Sequence, residues 1–195
     1  FRQIPDLIDY PSTVEEIQTV LRIARDCGYP VWVVSKGKNW GYGSASASYP
    51  GGITMILERM NRIHEVNEEL GYAVLEPGVT YKQLRDHLHD TGSRLWSDST
   101  GSTMHASVLG NALDKGRGVT PMADHFGALC GMEVVLPTGE QIVTWGPEHA
   151  NHARATYKWG VGPYLDGLFA QSNLGVVEAH APCFKCSDVA KNYHR

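Results

Sequence analysis

A short apolar strand, Val31-Trp32-Val33-Val34, runs directly into Ser35-Lys36-Gly37-Lys38-Asn39-Trp40-Gly41-Tyr42-Gly43, and this junction constrains the chain more than any other feature. A buried strand opening into a loop with three glycines can turn main-chain amides outward. Glycine accepts positive φ and lets the backbone approach an anion closely. The residues after Gly43 exclude two familiar phosphate-binding designs. No amphipathic helix begins after the glycines, as the dinucleotide fingerprint of a doubly wound sheet requires. Nor does the loop end in Gly-Lys-Ser/Thr. From its own residues the segment reads first as a surface loop and second as a phosphate cradle, with Lys36 and Lys38 adding positive charge.

A second glycine-rich stretch, Ser107 to Gly118, contains Gly110, Asn111, Gly116 and Gly118, and leads into Asp124-His125-Phe126. Two such loops at opposite ends of a small domain suggest an extended ligand held mainly by backbone. A dinucleotide suits that arrangement better than a mononucleotide. Asp124-His125 before an apolar run reads equally as a helix cap or as a catalytic pair.

The surrounding pattern is that of an α+β domain. Ser12-Thr13-Val14-Glu15-Glu16 forms a capping box, and Val14, Ile17, Val20, Leu21 and Ala24 share one helical face. Gly28 ends that helix as a C′ residue. Strands are expected over 53–57, 63–66 and 72–75. A second helix starts at Thr80 with Gln83 at N3, buries Leu84 and Leu88 and closes at Gly92. A hairpin is expected over 132–144, and a short helix over 164–172. Strands and helices do not alternate regularly, so a doubly wound sheet is disfavoured. Cys27 and Cys130 sit in apolar patterns and are expected to be small buried thiols.

With 17 basic and 21 acidic side chains the formal charge is −4, so no basic stripe is available for nucleic acid. No apolar run reaches the ~18 residues of a membrane span, which predicts a soluble chain without membrane or nucleic-acid partners. The length suits one domain, and the start at Phe1 rather than Met suggests a missing upstream segment.

Taken in order, these segments resemble the FAD-binding domain of the p-cresol methylhydroxylase and vanillyl-alcohol oxidase flavoproteins. The resemblance rests on Ser35 to Gly43, Asn61-Arg-Ile, Glu76-Pro-Gly-Val-Thr-Tyr81, Val108-Leu-Gly-Asn111, Thr120-Pro121 with Asp124-His125, and Gly131 to Val135. It continues through Lys158 to Pro163 and Asp166 to Gly175, spanning roughly Ile8 to Val177. It implies two α+β subdomains with FAD between them, and oxidation of a para-substituted phenol by hydride loss from its benzylic carbon to flavin N5.

Carried over by residue, the resemblance assigns the cofactor to Ser35, Lys36, Gly37, Lys38, Asn39, Gly41, Tyr42, Gly43, Pro77, Gly78, Val79, Gly110, Asn111, Gly175 and Val177. It assigns the phenolate hydrogen bond to Tyr81 and an acid beside the flavin to Asp124. The electron acceptor is expected to be oxygen or a cytochrome c, and a homo-oligomer is expected of the full-length protein.

The resemblance also predicts a boundary. Residues 8–177 form the FAD-binding domain, and 178–195 are a divergent tail where the family continues as an apolar strand and then a substrate cap. The chain stops at Arg195 without that cap, so a fragment of a full enzyme is expected. The alternatives are a non-catalytic FAD-binding remnant, a related flavoenzyme for a sugar or hydroxy acid, and a zinc-stabilised module using Cys183, Cys186, His180 and His194. The zinc pattern lacks a clean four-ligand spacing, so no metal site is assigned.

Overall fold

The computed structural model describes residues 3–39, 44–121, 123–145, 155–159 and 162–182, with 180–182 described by backbone alone. Two sheets organise the chain. The first is parallel, with β1 (Leu7–Asp9), β2 (Val31–Val34) and β3 (Ile53–Ile56) in the order β1-β3-β2. Ile53 is the register partner of both Leu7 and Val31.

Between β1 and β2 runs α1 (Val14–Cys27). The Thr13 side chain accepts the Glu16 N–H at 3.3 Å, while the Glu16 carboxylate accepts the Ser12 N–H at 2.6 Å. The reciprocal bond of the capping box is thus made one residue earlier than the N-cap itself. At the other end Gly28 adopts φ 67°, with Gly28 N–H to Arg25 O and Tyr29 N–H to Ala24 O, the paired bonds of a Schellman stop. Ile17, Leu21 and Ala24 are its buried residues. Cys27 is a free, exposed thiol, not the expected buried one. At 3.6 residues per turn it points roughly 80–90° away from the stripe formed by the buried three.

The second sheet is antiparallel. It contains β4 (Ile63–Asn67), β5 (Tyr72–Leu75), β6 (Leu129–Val135), β7 (Gln141–Val143) and β8 (Val176–Pro182), ordered β4-β5-β8-β6-β7. The β6–β7 hairpin is the one the sequence predicts, with Val135 opposite Gln141. The helices α2 (Tyr81–Asp90), α3 (Val108–Leu113) and α4 (Asp166–Phe169) complete the described elements that frame the site. Ile17, Leu21, Met55, Leu57 and Met60 pack with Val135 and Val176, so α1 and the parallel sheet share a core with the antiparallel one. The architecture is the α+β arrangement expected.

Other expectations need correction. The stretch after Ser107 is not a loop but the helix α3, capped by the Ser107 side chain. Gly110 and Asn111 are weak helix formers and hide its periodicity. Helix α4 is four residues long, shorter than the 164–172 span expected. The boundary expected at 177 falls inside β8, which continues through Glu178 to Pro182 between β5 and β6. Cys130 is buried as expected but is disulfide-bonded rather than a thiol. No helix among the described residues is long and apolar enough to cross a membrane.

Candidate active site

The polypeptide leaving β2 forms the first wall. Gly37 takes φ 60°, and its missing Cβ would stand 3.1 Å from that of Ala45. Asn39 Oδ1 accepts the Ser44 N–H at 2.9 Å, which closes the neck of the loop. Among the described residues, the main-chain N–H groups of Lys36, Gly37 and Lys38 meet no acceptor. Lys36 does not simply add charge, because its ammonium lies 3.2 Å from the Glu58 carboxylate. Trp40, Gly41, Tyr42 and Gly43 lie outside the described residues, as do His149, His152, Cys183, Cys186 and His194.

The second wall is the turn before α2. Gly78 is packed so closely that a Cβ there would lie 2.6 Å from the carbonyl oxygens of both Glu58 and Met60. Only glycine fits. Ser107 joins this turn to α3, since its Oγ donates to Pro77 O at 2.6 Å and accepts the Gly110 N–H at 2.8 Å. The Val108 N–H donates to Val79 O, and the Tyr81 N–H to Ala106 O. Gly110 in turn abuts the first wall, for a Cβ on it would be 2.9 Å from Ser35 Oγ. The two glycine-rich stretches are therefore in contact, not at opposite ends of the domain. Ser35, Pro77, Gly78, Val79, Gly110 and Asn111 lie together at this junction.

A buried polar cluster stands behind this junction. The Tyr81 hydroxyl donates to Asn111 Oδ1 at 3.3 Å and lies 3.1 Å from His125 Nδ1. His125 Nδ1 also contacts Asn111 Oδ1. On the far side of the ring, His125 Nε2 faces Asp98 Oδ2 at 3.4 Å, and Asp98 Oδ1 accepts the Val119 N–H. The side chains of His125 and Asp98 are only 10% and 11% exposed. Two glycines leave the space. A Cβ on Gly116 would overlap the Asn111 amide, and one on Gly118 would overlap both the Asp98 carboxylate and His125 Nε2. Burial, reinforced by the Asp98 charge, pushes the Tyr81 phenol far above its usual range. Burial lowers the His125 imidazole, against the opposing pull of Asp98 and Asp124.

Asp124 and His125 point in different directions. Asp124 is exposed, and its carboxylate accepts the Gly127 N–H at 2.7 Å, so it caps the turn ahead of β6. His125 points the other way, into the cluster. Gly175 and Val177 stand apart from the junction by their side-chain environment. A Cβ on Gly175 would meet Val134 at 2.5 Å, and Val177 packs in the core with Leu109, Met132 and Phe169. Only their main chain is left for a ligand.

Asp98 escapes sequence reasoning altogether. It lies in a Ser- and Thr-rich run without periodicity, and its one signal is Gly118, whose reason is visible only in three dimensions. His125 is detectable as half of the Asp-His pair, although its partners are not.

Comparison with known proteins adds an independent line. A family described as an FAD binding domain matches residues 5–144. Among characterised relatives, the 1'-carboxy-chondrochloren decarboxylase of Chondromyces crocatus is 48% identical over 90% of this chain and 32% of its own length. The flavoprotein subunit of 4-cresol dehydrogenase [hydroxylating] from Pseudomonas putida is 38% identical over 85% of this chain and 32% of its own. The solved structure of 4-ethylphenol oxidase from Gulosibacter chungangensis, an isoeugenol complex, superposes with a TM-score of 0.88 at 40% identity. That match covers 92% of this chain and 34% of the other. The chain thus spans about a third of the length of the relatives it matches.

Proposed function

We propose, from the premise that this chain belongs to the FAD binding domain family and takes FAD as its cofactor, that it is the FAD-holding part of an oxidoreductase acting on para-substituted phenols. The observation that carries the reading is the convergence of three segments on one junction: Ser35 to Asn39, Pro77 to Tyr81, and Gly110-Asn111. The residues present fit the cofactor. Unclaimed amides on Lys36, Gly37 and Lys38 suit a pyrophosphate, and Gly78 and Gly110 let the turn and α3 close against Glu58, Met60 and Ser35 so that the three segments meet beside those amides. Bound FAD supplies an acceptor for the hydride leaving the benzylic carbon of the phenol, which leaves a p-quinone methide open to water.

The chain's own residues do the rest. The Ser35–Asn39 loop and the Pro77–Val79 turn fix the cofactor from its two sides. Tyr81, kept neutral by burial, donates a hydrogen bond from its hydroxyl to the phenolate oxygen. Asp124, near the surface, holds the turn that aims His125. The FAD-holding unit runs from residue 8 through the end of β8 at Pro182, the rest of a longer enzyme supplies the substrate cap, and oxygen or a cytochrome c accepts the electrons.

A second reading is favoured by the 48% identity to a decarboxylase. In it the same phenol frame is held, and the group lost from the side chain leaves as carbon dioxide.

The test is a visible absorption spectrum of the purified chain after incubation with FAD and desalting. Retained flavin bands are expected, together with 4-ethylphenol binding that Tyr81→Phe abolishes. A folded but colourless protein refutes the proposal that this chain holds FAD by itself. Carbon dioxide release from a 4-hydroxyphenyl carboxylic acid separates the second reading from the first.

A further inference from the structure

Adjacent residues of α3 face different parts of the site. Consecutive helical side chains are about 100° apart, and Gly110 lies against the cofactor loop, where a Cβ would come 2.9 Å from Ser35 Oγ. Asn111 faces Tyr81 and His125 instead. Its Oδ1 is 3.3 Å from the Tyr81 hydroxyl and in contact with His125 Nδ1. From the other side Gly116 closes on the same amide, since a Cβ there would lie 2.7 Å from Oδ1 and closer still to Nδ2. The main chain of Asn111 is also engaged. Its N–H donates to Ser107 O at 3.1 Å, and its carbonyl accepts the Gly116 N–H at 2.8 Å.

Tyr81 is only 4% exposed at the start of α2, so the direction of its hydroxyl is set by these neighbours. His125 Nδ1 stands at 3.1 Å on one side and Asn111 Oδ1 at 3.3 Å on the other. An amide suits this place whichever ring nitrogen of His125 carries the proton. Its carbonyl end accepts from a protonated Nδ1, and a half-turn offers its NH2 end to a bare one. A carboxylate could only accept, and an apolar side chain could do neither. In both cases the hydroxyl oxygen keeps the same two neighbours.

Resting on the phenol reading, we propose that Asn111 is a positioning residue for the substrate and not a ligand of the cofactor. Its amide holds the Tyr81 hydroxyl at the point where the phenol oxygen docks. Through Gly110 against Ser35, the same helix fixes that point relative to the cofactor loop. The helix is itself anchored, because Leu109 and Ala112 are packed in the core. Loss of the amide leaves the hydroxyl free to turn away, and a misdirected anchor binds the phenol less well.

Three readouts on the full chain test this assignment. Asn111→Ala removes the amide, and Gly116→Ala displaces it from outside α3. The first readout needs no ligand. Carbon NMR of tyrosine Cζ reports hydroxyl hydrogen bonding, and the Tyr81 signal is identified by its absence from Tyr81→Phe. Both alanine variants are expected to shift it, and an unshifted signal in folded Asn111→Ala overturns the inference. The second is flavin retention after desalting, which Asn111→Ala is expected to leave at the wild-type level. A marked loss returns Asn111 to the cofactor and overturns the inference.

The third readout is 4-ethylphenol binding to the FAD-loaded chain. Both variants are expected to bind about tenfold more weakly than wild type. Wild-type affinity in folded Asn111→Ala overturns the inference and leaves the phenol reading standing. Should Asn111→Ala not fold, Gly116→Ala decides by the same carbon signal and the same affinity. A wild-type chain that holds no flavin or no 4-ethylphenol overturns the phenol reading instead, and the Tyr81 carbon signal then decides whether Asn111 directs the hydroxyl.

Discussion

Glu178→Gln should make the protein more stable at neutral and alkaline pH and change nothing in acid. Glu178 is 4% exposed in β8, with Gln141 Nε2 donating to its carboxylate. Burial raises its pKa from the ordinary 4.5 to about 7, and the nearby Glu133, Glu76 and Glu15 push in the same direction. The folded state therefore binds a proton at Glu178 that the unfolded state has already lost between these two values. Stability must fall as pH rises from 4.5 to about 7, and the penalty is complete above that. The difference between the two values corresponds to at most about 3 kcal/mol.

Glutamine keeps the carbonyl that accepts from Gln141 and removes the charge. Relative to wild type, the variant should match at pH ~4 and gain up to about 3 kcal/mol at pH ~8, or roughly 6–12 °C in Tm for a chain of this size. Urea melts across that range, with unchanged m-values, give the two curves. Parallel profiles, or a loss of stability above pH ~7, would refute the reasoning that the buried carboxylate is charged at a cost.

Two further outcomes are expected at the site. Gly110→Ala sets a methyl 2.9 Å from Ser35 Oγ and 3.3 Å from Ser107 Cβ; pushing α3 from the loop should weaken FAD retention about tenfold at a cost of about 1–3 kcal/mol, and wild-type retention would remove this contact from the cradle. Asp124→Ala loses the acceptor for the Gly127 N–H and should cost about 1 kcal/mol in urea melts, with Asp124→Asn recovering most of it. If Asp124→Asn instead keeps stability but abolishes flavin-dependent turnover, the carboxylate is catalytic and not only a cap.

Local chemistry makes much of the fold readable in advance. Thr13, Gly28 and Thr80 mark helix ends through their own side chains or lack of one, and Val31–Val34 and the Pro137–Gly139 turn announce themselves within a few residues. The hidden parts depend on partners far away in the chain. Glu178 and Pro182 look unlike a strand because charge and a missing N–H disfavour one, yet β8 is held by its ladder with β6 and by Leu75 of β5 opposite His180. Helix α3 is short and carries Gly110 and Asn111, so tertiary packing through Leu109 and Ala112, not propensity, sustains it. In the site, the glycine clusters are visible in the sequence but their contact is not. Asp98 and Tyr81 meet through His125 across separations that no spacing rule relates.

The position of β8 has a consequence for how the molecule is made. Among the described strands it is the last of its sheet in the sequence but the middle one in space, flanked by β5 and β6. During synthesis the β4–β5 and β6–β7 pairs emerge first and can each close as a local hairpin. Each then waits on the ribosome with one long edge unpaired, since neither can complete the other. The sheet zips together only when residues 176–182 clear the exit tunnel, so the inner edges of β5 and β6 stay open until then. A nascent chain stalled before Val176 would release that half-built state, with Leu75 and Val134 deprived of their neighbours, to aggregation or to a chaperone.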